Sequence, residues 1–244
     1  MRGARFILSG NRRADEEEKP FWISFADLMT ALMVLFLVAM AVALLAVTKT
    51  VSERETREKQ YQDDIKQVME RFEKAAKKFE GIRVDKERHV IDFGEKALFP
   101  SNKCSLEPDQ EQELRAFVPE MLDLANRDEE GRRVIKRIVV EGYTDKNGSY
   151  LYNLNLSLSR SQRVLCSMFA TKGANLLSEG QKEEVRDLFL VGGYSFNAAK
   201  SKDEESRRVE MRLEFLGIGE QRSAAQVDDG NFGECKILRE CSTK

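Results

Sequence analysis

The apolar positions of this chain follow three different patterns along its length. From Phe21 to Val47 nearly every residue is apolar, and Asp27 is the single charged residue among these 27. A spanning helix needs about 20 such residues, so the segment predicts one transmembrane helix over residues 20–47. Because a cleaved signal peptide has an apolar run of only about 7–15 residues, we interpret this longer run as an uncleaved anchor.

A second pattern, a narrow apolar stripe among charged residues, follows between residues 48 and 81. The stripe recurs at steps of three and four residues, which is the spacing of an a/d seam: Tyr61, Ile65, Val68, Phe72, Ala75 and Phe79. We interpret the segment as a helical stalk whose stripe pairs with a second copy in a short parallel coiled coil. A helix packed on its own domain would show the same spacing, and the pattern leaves that alternative open.

The third pattern, from residue 82 to 216, alternates short apolar runs with amphipathic stretches. The helical periodicity and the period-2 alternation predict the order β-α-β-α-(α)-β-β. Strands are predicted at 89–94, 134–142, 188–193 and 207–215, and helices at 107–127, 156–170 and 179–189. The predicted fold is therefore one transmembrane α-helix, a helical stalk and an α/β (α+β) sandwich domain. Residues 1–19 form a polar N-terminal tail, and residues 217–244 form a C-terminal tail without predicted regular structure.

Composition narrows the classes of function. A net charge of −2 argues against a nucleic-acid binder, and a mean hydropathy of −0.48 argues against a protein with many membrane spans. The chain has one histidine, His89, and no C-x-x-C motif, so a zinc site or a Ser/Cys-His pair has little to build on. We expect no enzyme and no cofactor.

The cysteines all follow the apolar segment, and their even number suits an oxidising compartment. Four cysteines allow three pairings, and the sequence does not choose among them: Cys104, Cys166, Cys235 and Cys241.

The lone carboxylate in the apolar segment is the first candidate for chemistry. A charged side chain in a membrane costs roughly 2.5–3.5 kcal/mol on insertion scales, so Asp27 is a functional-site candidate by default. Its helical face also carries small and polar residues, a composition that normally contacts protein rather than lipid: Ser24, Thr30 and Ala31. A carboxyl group there changes charge as a proton or cation binds and leaves. A single helix cannot enclose a pathway, which implies partner helices. In the alternative, Asp27 caps a helix that begins at Leu28.

A second candidate lies in the stretch VEGYTDKNGSYLYNLNLSLSRSQRV, residues 140–164. Asp145 follows a predicted strand, and Arg160 lies in the first turns of a predicted helix. If the fold brings them together, Asp145 suits an ammonium group and Arg160 suits a carboxylate in bidentate contact, so the pair predicts a zwitterionic ligand. A structural salt bridge between the two residues is the open alternative.

The motifs GYTDKNGS, YNLNLSLSRSQRV and SRRVEMRLEF resemble the OmpA-type peptidoglycan-binding domain, over residues 82–216. The resemblance implies that Asp145 and Arg160 bind the diaminopimelate of the cell-wall peptide. It implies supporting roles for Asn153, Leu156, Tyr152, Tyr143 and Arg208. Two positions depart from the family pattern: Tyr143 stands in place of a common histidine, and Ser206 in place of a common asparagine.

The helix FWISFADLMTALMVLFLV resembles that of MotB-type stator subunits, whose aspartate in the F-A-D motif carries the transported ion. The resemblance implies that Asp27 carries a proton or Na⁺ and that the chain forms a homodimer inside a ring of a larger MotA-like membrane subunit. It implies a single-pass protein of the bacterial inner membrane with a cytoplasmic N-terminus and a periplasmic domain bound to peptidoglycan. The helix and the short stalk resemble stator subunits of anti-phage defence more than flagellar ones, and this resemblance implies a role in defence. A flagellar stator subunit and a passive wall tether are the alternatives, and a tether has no use for Asp27.

Overall fold

The computed structural model describes residues 21–222, 232, 233 and 235, apart from the side chains of Phe21, Ile23 and Ser24. The chain divides into two compact units after Thr56. Helix α1 is continuous from Phe21 to Ala76 and so contributes residues to both units. The predicted N-terminal tail, residues 1–19, lies outside the described residues.

In the first unit, the apolar side chains of α1 are exposed, including Leu35 at 69% and Phe36 at 64%. Among the described residues, α1 is the one helix that is long and apolar enough to cross a membrane, and its best 18-residue window has a mean hydropathy of 2.8. The helix runs through Asp27 without interruption. The alternative in which Asp27 caps a helix that begins at Leu28 is therefore wrong.

In the second unit, the end of α1 is part of the domain core. The exposed fraction is 1% for Val68 and 0% for Phe72, and both side chains pack in one cluster with apolar residues of the sheet and of later helices. Tyr61 and Phe79 pack on the same cluster. The predicted coiled coil through this stripe is therefore wrong, because the chain's own domain already covers the stripe.

The domain is built on one five-stranded sheet in the order β1-β2-β5-β3-β4. Strands β3 and β4 are parallel, and the other neighbours are antiparallel. The strands are β1 (Arg83–Asp85), β2 (Val90–Asp92), β3 (Ile135–Gly142), β4 (Phe189–Gly193) and β5 (Val209–Phe215). The helices after α1 are α2 (Pro108–Leu122), α3 (Glu129–Val134), α4 (Tyr150–Met168), α5 (Glu179–Leu188) and α6 (Asp203–Ser206), with a 3₁₀ turn at Gly94–Ala97 and a π-helical turn at Asp123–Arg127.

One face of the sheet is apolar and the other is polar. Ile138 and Val140 of β3, together with Met211 and Leu213 of β5, lie in the core with residues of α1, α2, α4 and α5. The alternate positions of the same strands carry charged side chains, among them Glu141 and Arg212. This alternation is the one the sequence predicts, and the predicted fold class of an N-terminal helix followed by an α/β sandwich is confirmed.

The largest difference from the predicted elements lies at the start of α4. The helix begins at Tyr150, and the side chain of Ser149 accepts a hydrogen bond from the backbone N–H of Tyr152, so Ser149 is the N-cap. The predicted start, residue 156, lies six residues further along the chain. Strand β1 and the short helices α3 and α6 were not predicted.

The C-terminal tail is attached to α4 by a disulfide between Cys166 and Cys235, whose Cα atoms are 5.9 Å apart. The ring of Phe232 lies 5.1 Å from that of Phe169 beside this bond. The disulfide selects among the pairings that the sequence left open. Cys241 lies outside the described residues.

Candidate functional site

The carboxyl end of β3 is where the predicted wall-binding motif begins. Gly142 ends the strand, and a Cβ atom at this position would lie 1.9 Å from the backbone oxygen of Ser157 on α4. Only glycine therefore allows α4 to pack this closely on the strand. This packing brings residues 143–149 next to the first turns of α4, as the spacing of the motif predicts.

Asp145 is buried at this end of the sheet, with an exposed fraction of 5%. Its Oδ1 accepts a hydrogen bond from the backbone N–H of Asn147 at 3.0 Å, and its Oδ2 pairs with Nη1 of Arg207 at 3.1 Å. Arg207 also donates from Nε to the backbone oxygen of Phe99 at 3.1 Å. The arginine that pairs with Asp145 is thus Arg207, a residue outside the predicted site.

Arg160 lies beneath this pair and is fully buried. Its guanidinium donates to the backbone oxygens of Tyr143 at 2.7 Å, Lys103 at 2.9 Å and Pro100 at 3.3 Å, and it stacks over the ring of Phe99. Burial lowers the pKa of Arg160 to about 10, against the opposing attraction of Asp145. Arg160 therefore holds loop 99–104 against loop 143–145, and the alternative of a direct Asp145–Arg160 salt bridge is wrong.

Tyr143 and Arg208 lie on the polar face of the sheet. The hydroxyl of Tyr143 donates to Oε2 of Glu141 at 2.6 Å, and the guanidinium of Arg208 stacks 4.3 Å above the tyrosine ring. Arg208 donates from Nε to Oε1 of Glu210 at 2.7 Å. Burial, with the nearby carboxylate of Glu141, raises the pKa of Tyr143 well above its usual range. Both residues are engaged with the two fully buried glutamates, Glu141 and Glu210.

The remaining predicted residues of α4 support the loops. Asn153 is buried and donates from Nδ2 to the backbone oxygen of Asn147 at 2.9 Å, which stabilises the turn after Asp145. Leu156 packs with Tyr152, whose hydroxyl donates to Oδ1 of Asn102 at 3.3 Å. The structure thus brings the predicted residues of this site to one end of the sheet, as supports around the Asp145–Arg207 pair.

Thr144 is a further residue of this site that the prediction did not include. Its Oγ1 atom is buried, and among the described residues it has no hydrogen-bond partner. A buried hydroxyl without a partner is costly, and such groups are normally satisfied by a water or a ligand. Its place directly before Asp145 in the T-D motif is the signal that could have identified it.

The second candidate site lies on α1, where Asp27, Thr30 and Ala31 are all exposed. Thr30 donates from Oγ1 to the backbone oxygen of Asp27 at 2.8 Å. Within the described part of the chain, no side chain pairs with the Asp27 carboxylate. The side chain of Ser24, the third predicted neighbour, lies outside the described residues.

Comparisons with known proteins place these features in a family. The chain is 46% identical over 221 residues to the Zorya protein ZorB of Escherichia coli O139:H28, and the match covers 89% of each chain. Residues 10–51 match the family described as membrane MotB of the proton-channel complex MotA/MotB. That match confirms the resemblance stated above for the apolar helix.

Solved structures similar to this chain include the periplasmic domain of Helicobacter pylori MotB, at 13% identity and a TM-score of 0.38, covering 52% of this chain and 76% of that one. The cell wall anchor of the type VI secretion system from Pseudomonas aeruginosa matches at 20% identity and a TM-score of 0.37, covering 61% and 97%. The OmpA-like domain of FopA1 from Francisella tularensis matches at 20% identity and a TM-score of 0.35, covering 52% and 75%. The assignment rests on the sequence identity rather than on these structural likenesses: the chain belongs to the ZorB family.

Proposed function

We propose that this chain is the wall-anchored subunit of an ion-driven motor of the bacterial inner membrane, and that the motor serves anti-phage defence. Asp27 carries the transported proton or Na⁺. The subunit is a homodimer inside a ring of a larger ZorA-like membrane subunit, with its N-terminus in the cytoplasm and its domain in the periplasm. The name of the ZorB relative and the MotB match over residues 10–51 support this assignment.

The observation that carries the proposal is the carboxylate of Asp27 on an exposed apolar helix. An unpaired charge is costly at membrane depth, so such a residue contacts a water-filled cavity or a partner. Among the described residues no side chain supplies that partner, and one helix cannot enclose a pathway. Helices of another subunit would therefore complete the site around Asp27, with Thr30 and Ala31 on the same face.

The anchor in this proposal is the Asp145 site. Asp145 would bind an ammonium group of the wall peptide's diaminopimelate, and Arg207, which pairs with Asp145, would turn to a carboxylate of the same ligand. Arg160 would hold the two loops in place through their backbone oxygens. Asn153, Leu156 and Tyr152 would support the turn and α4, while Tyr143 and Arg208 would fix the strand ends that carry the site.

The ion-carrying role is tested by Asp27→Asn in cells that also express the membrane partner. Asparagine keeps the size of the side chain and loses its titration, so we expect protection against phage to disappear while co-purification of the partner persists. Asp27→Glu, which keeps the carboxylate, is the matched control. Full protection by the Asp27→Asn chain would refute the role of Asp27.

The anchoring role is tested by pull-down of the detergent-solubilised full chain on purified sacculi. Asp145→Asn keeps the Oδ1 acceptor for the N–H of Asn147 and removes the charge, so we expect wall binding to fall about tenfold or more, with the fold intact. Asp63→Asn, the same change at an exposed position of α1, is the control. Equal binding by both variants would place the wall contact elsewhere.

A further inference from the structure

A cavity of about 350 Å³ lies between α6 and the start of β5. Its lining includes four basic and four acidic side chains, with residues of β1, β2 and α6 and the buried Arg208 among them. None of the roles assigned above uses this cavity.

Two pairs of consecutive residues connect the cavity to the Asp145 site, and in each pair one residue belongs to the site and the other lines the cavity. Arg207 pairs with Asp145, whereas Arg208 lines the cavity. On the facing segment, the backbone oxygen of Phe99 accepts a hydrogen bond from Arg207, whereas Leu98 lines the cavity and forms a β-bridge with Arg208. The cavity thus begins one residue further along each of the two segments that contact the Asp145–Arg207 pair.

Helix α6 is a second connection between the Asp145 site and the cavity. Asn147, in the turn after Asp145, donates from Nδ2 to Oδ2 of Asp203 at 3.3 Å, and Asp203 is the first residue of α6. The next residues of α6, Glu204 and Glu205, line the cavity. The turn that holds Asp145 and the wall of the cavity thus belong to one connected structure.

The charges of the cavity are only partly used within the chain. Lys200 pairs with Asp92 at 3.3 Å, Lys202 with Glu205 at 3.4 Å, and Arg208 with Glu210 at 2.7 Å. In the part of the chain that the structure describes, the side chains of Arg83, Glu95 and Glu204 have no ion-pair partner. The cavity therefore offers one guanidinium and two carboxylates to a ligand.

We propose that this cavity is a second subsite of the wall anchor, which takes the peptide segment next to the diaminopimelate bound at Asp145. Arg83 binds a carboxylate of that segment, and Glu95 and Glu204 accept hydrogen bonds from its amide or ammonium groups. This inference rests on the proposed anchoring function. The subsite is separate from the Asp145 site and has its own residues, which bind the peptide on one side of the diamino acid.

The test compares two probes on the detergent-solubilised full chain by calorimetric titration. One probe is free meso-diaminopimelate, and the other is the tripeptide L-Ala-γ-D-Glu-meso-diaminopimelate. We expect the tripeptide to bind the wild-type chain more tightly than the free diamino acid does. Arg83→Gln should weaken the tripeptide about tenfold, the typical effect of one charge-assisted hydrogen bond, and leave the free diamino acid unchanged.

Arg132→Gln is the matched control, because Arg132 is exposed and precedes β3 at the opposite end of the sheet from Asp145. A tripeptide that binds no more tightly than the diamino acid would overturn the subsite, and so would equal tripeptide affinity in the wild-type, Arg83→Gln and Arg132→Gln chains. Asp145→Asn separates the two proposals. If this variant keeps its affinity for both probes, the Asp145 contact fails, while the Arg83→Gln result still decides the subsite.

Discussion

Helix α1 places its apolar side chains in two different surroundings. Before Thr56 they are exposed along the helix, whereas from Ile65 onward those on one side of the helix are buried, with Phe72 fully so. From Leu28 to Val47 the helix has no charged residue and is apolar around its circumference, which is the composition typical of a membrane-spanning helix. The second stretch has a single apolar stripe, and the domain covers it. The two stretches of α1 therefore differ in how much of the helix circumference is apolar.

Acidic residues in the two units show the same contrast. In the domain, Glu141 is fully buried and accepts hydrogen bonds from Arg212 at 2.7 and 2.9 Å and from the hydroxyl of Tyr143. In α1, Asp27 has no such side-chain partner among the described residues. The charge of Glu141 is thus compensated inside its own chain, whereas the role proposed for Asp27 needs a partner from another chain.

The largest effect on stability is expected from Phe72→Ala. Phe72 is fully buried, and removing a buried phenylalanine ring costs about 3–5 kcal/mol in transfer and cavity free energy. Phe36→Ala makes the same change where the ring is 64% exposed, so it should leave the domain's free energy of unfolding within about 0.5 kcal/mol of wild type. Pulse proteolysis of the full chain in detergent and urea measures both. Equal, small effects would mean that the end of α1 is not part of the domain core.

The apolar stripe between Tyr61 and Phe79 shows that periodicity predicts a helix but not the surface on which the helix packs. Val68 and Phe72 recur at the spacing of a helix that buries one side, and that spacing is the same for a neighbour within the chain and for a second chain. The helix itself was predictable from the pattern. Its partner was not, because the partner is set by contacts with residues far along the sequence, such as those of α2 and the sheet.

For the strands and the Asp145 site, too, the pattern predicts the local element but not the contacts between distant residues. The alternation of Val209, Met211 and Leu213 with charged residues predicts β5 and its apolar face correctly. The choice between Arg207 and Arg208 depends on which of two consecutive residues points to the loops, and a shift of one residue reverses the side. The isolated bridge at Arg208 sets this orientation, and the motif alone does not reveal it.

A smaller effect is expected from Glu141→Gln. The change removes the charge that Arg212 and Tyr143 share, and a buried group left without its partner costs about 1–3 kcal/mol. The partly exposed Arg212 can turn to water, which keeps the cost in this range rather than above it. Asp27→Asn is the matched carboxylate-to-amide change, and we expect no change in the domain's free energy of unfolding there. The same proteolysis assay measures both, and a destabilised Asp27→Asn domain would contradict the contrast between the two acids.

The smallest effect is expected at His89, at the turn between β1 and β2. Its ring lies 4.9 Å from that of Phe215, and burial lowers the pKa of His89, with a further lowering by Arg212 against the opposing Asp85. The unfolded chain therefore takes up this proton first as the pH falls. The contribution to stability is present above about pH 6.5 and is lost as the pH falls through the lower folded-state pKa.

The comparison is between wild type and His89→Asn, because asparagine tolerates the left-handed backbone at this position, where φ is 54°. His89 is the only histidine in the chain, so the variant has no titrating imidazole. Denaturant unfolding of the full chain in detergent between pH 5 and 8 should show that wild type loses stability relative to the variant as the pH falls. A constant difference across this range would mean that the ring has the same proton affinity in the folded and unfolded chains, and that the contact with Phe215 does not exclude water from it.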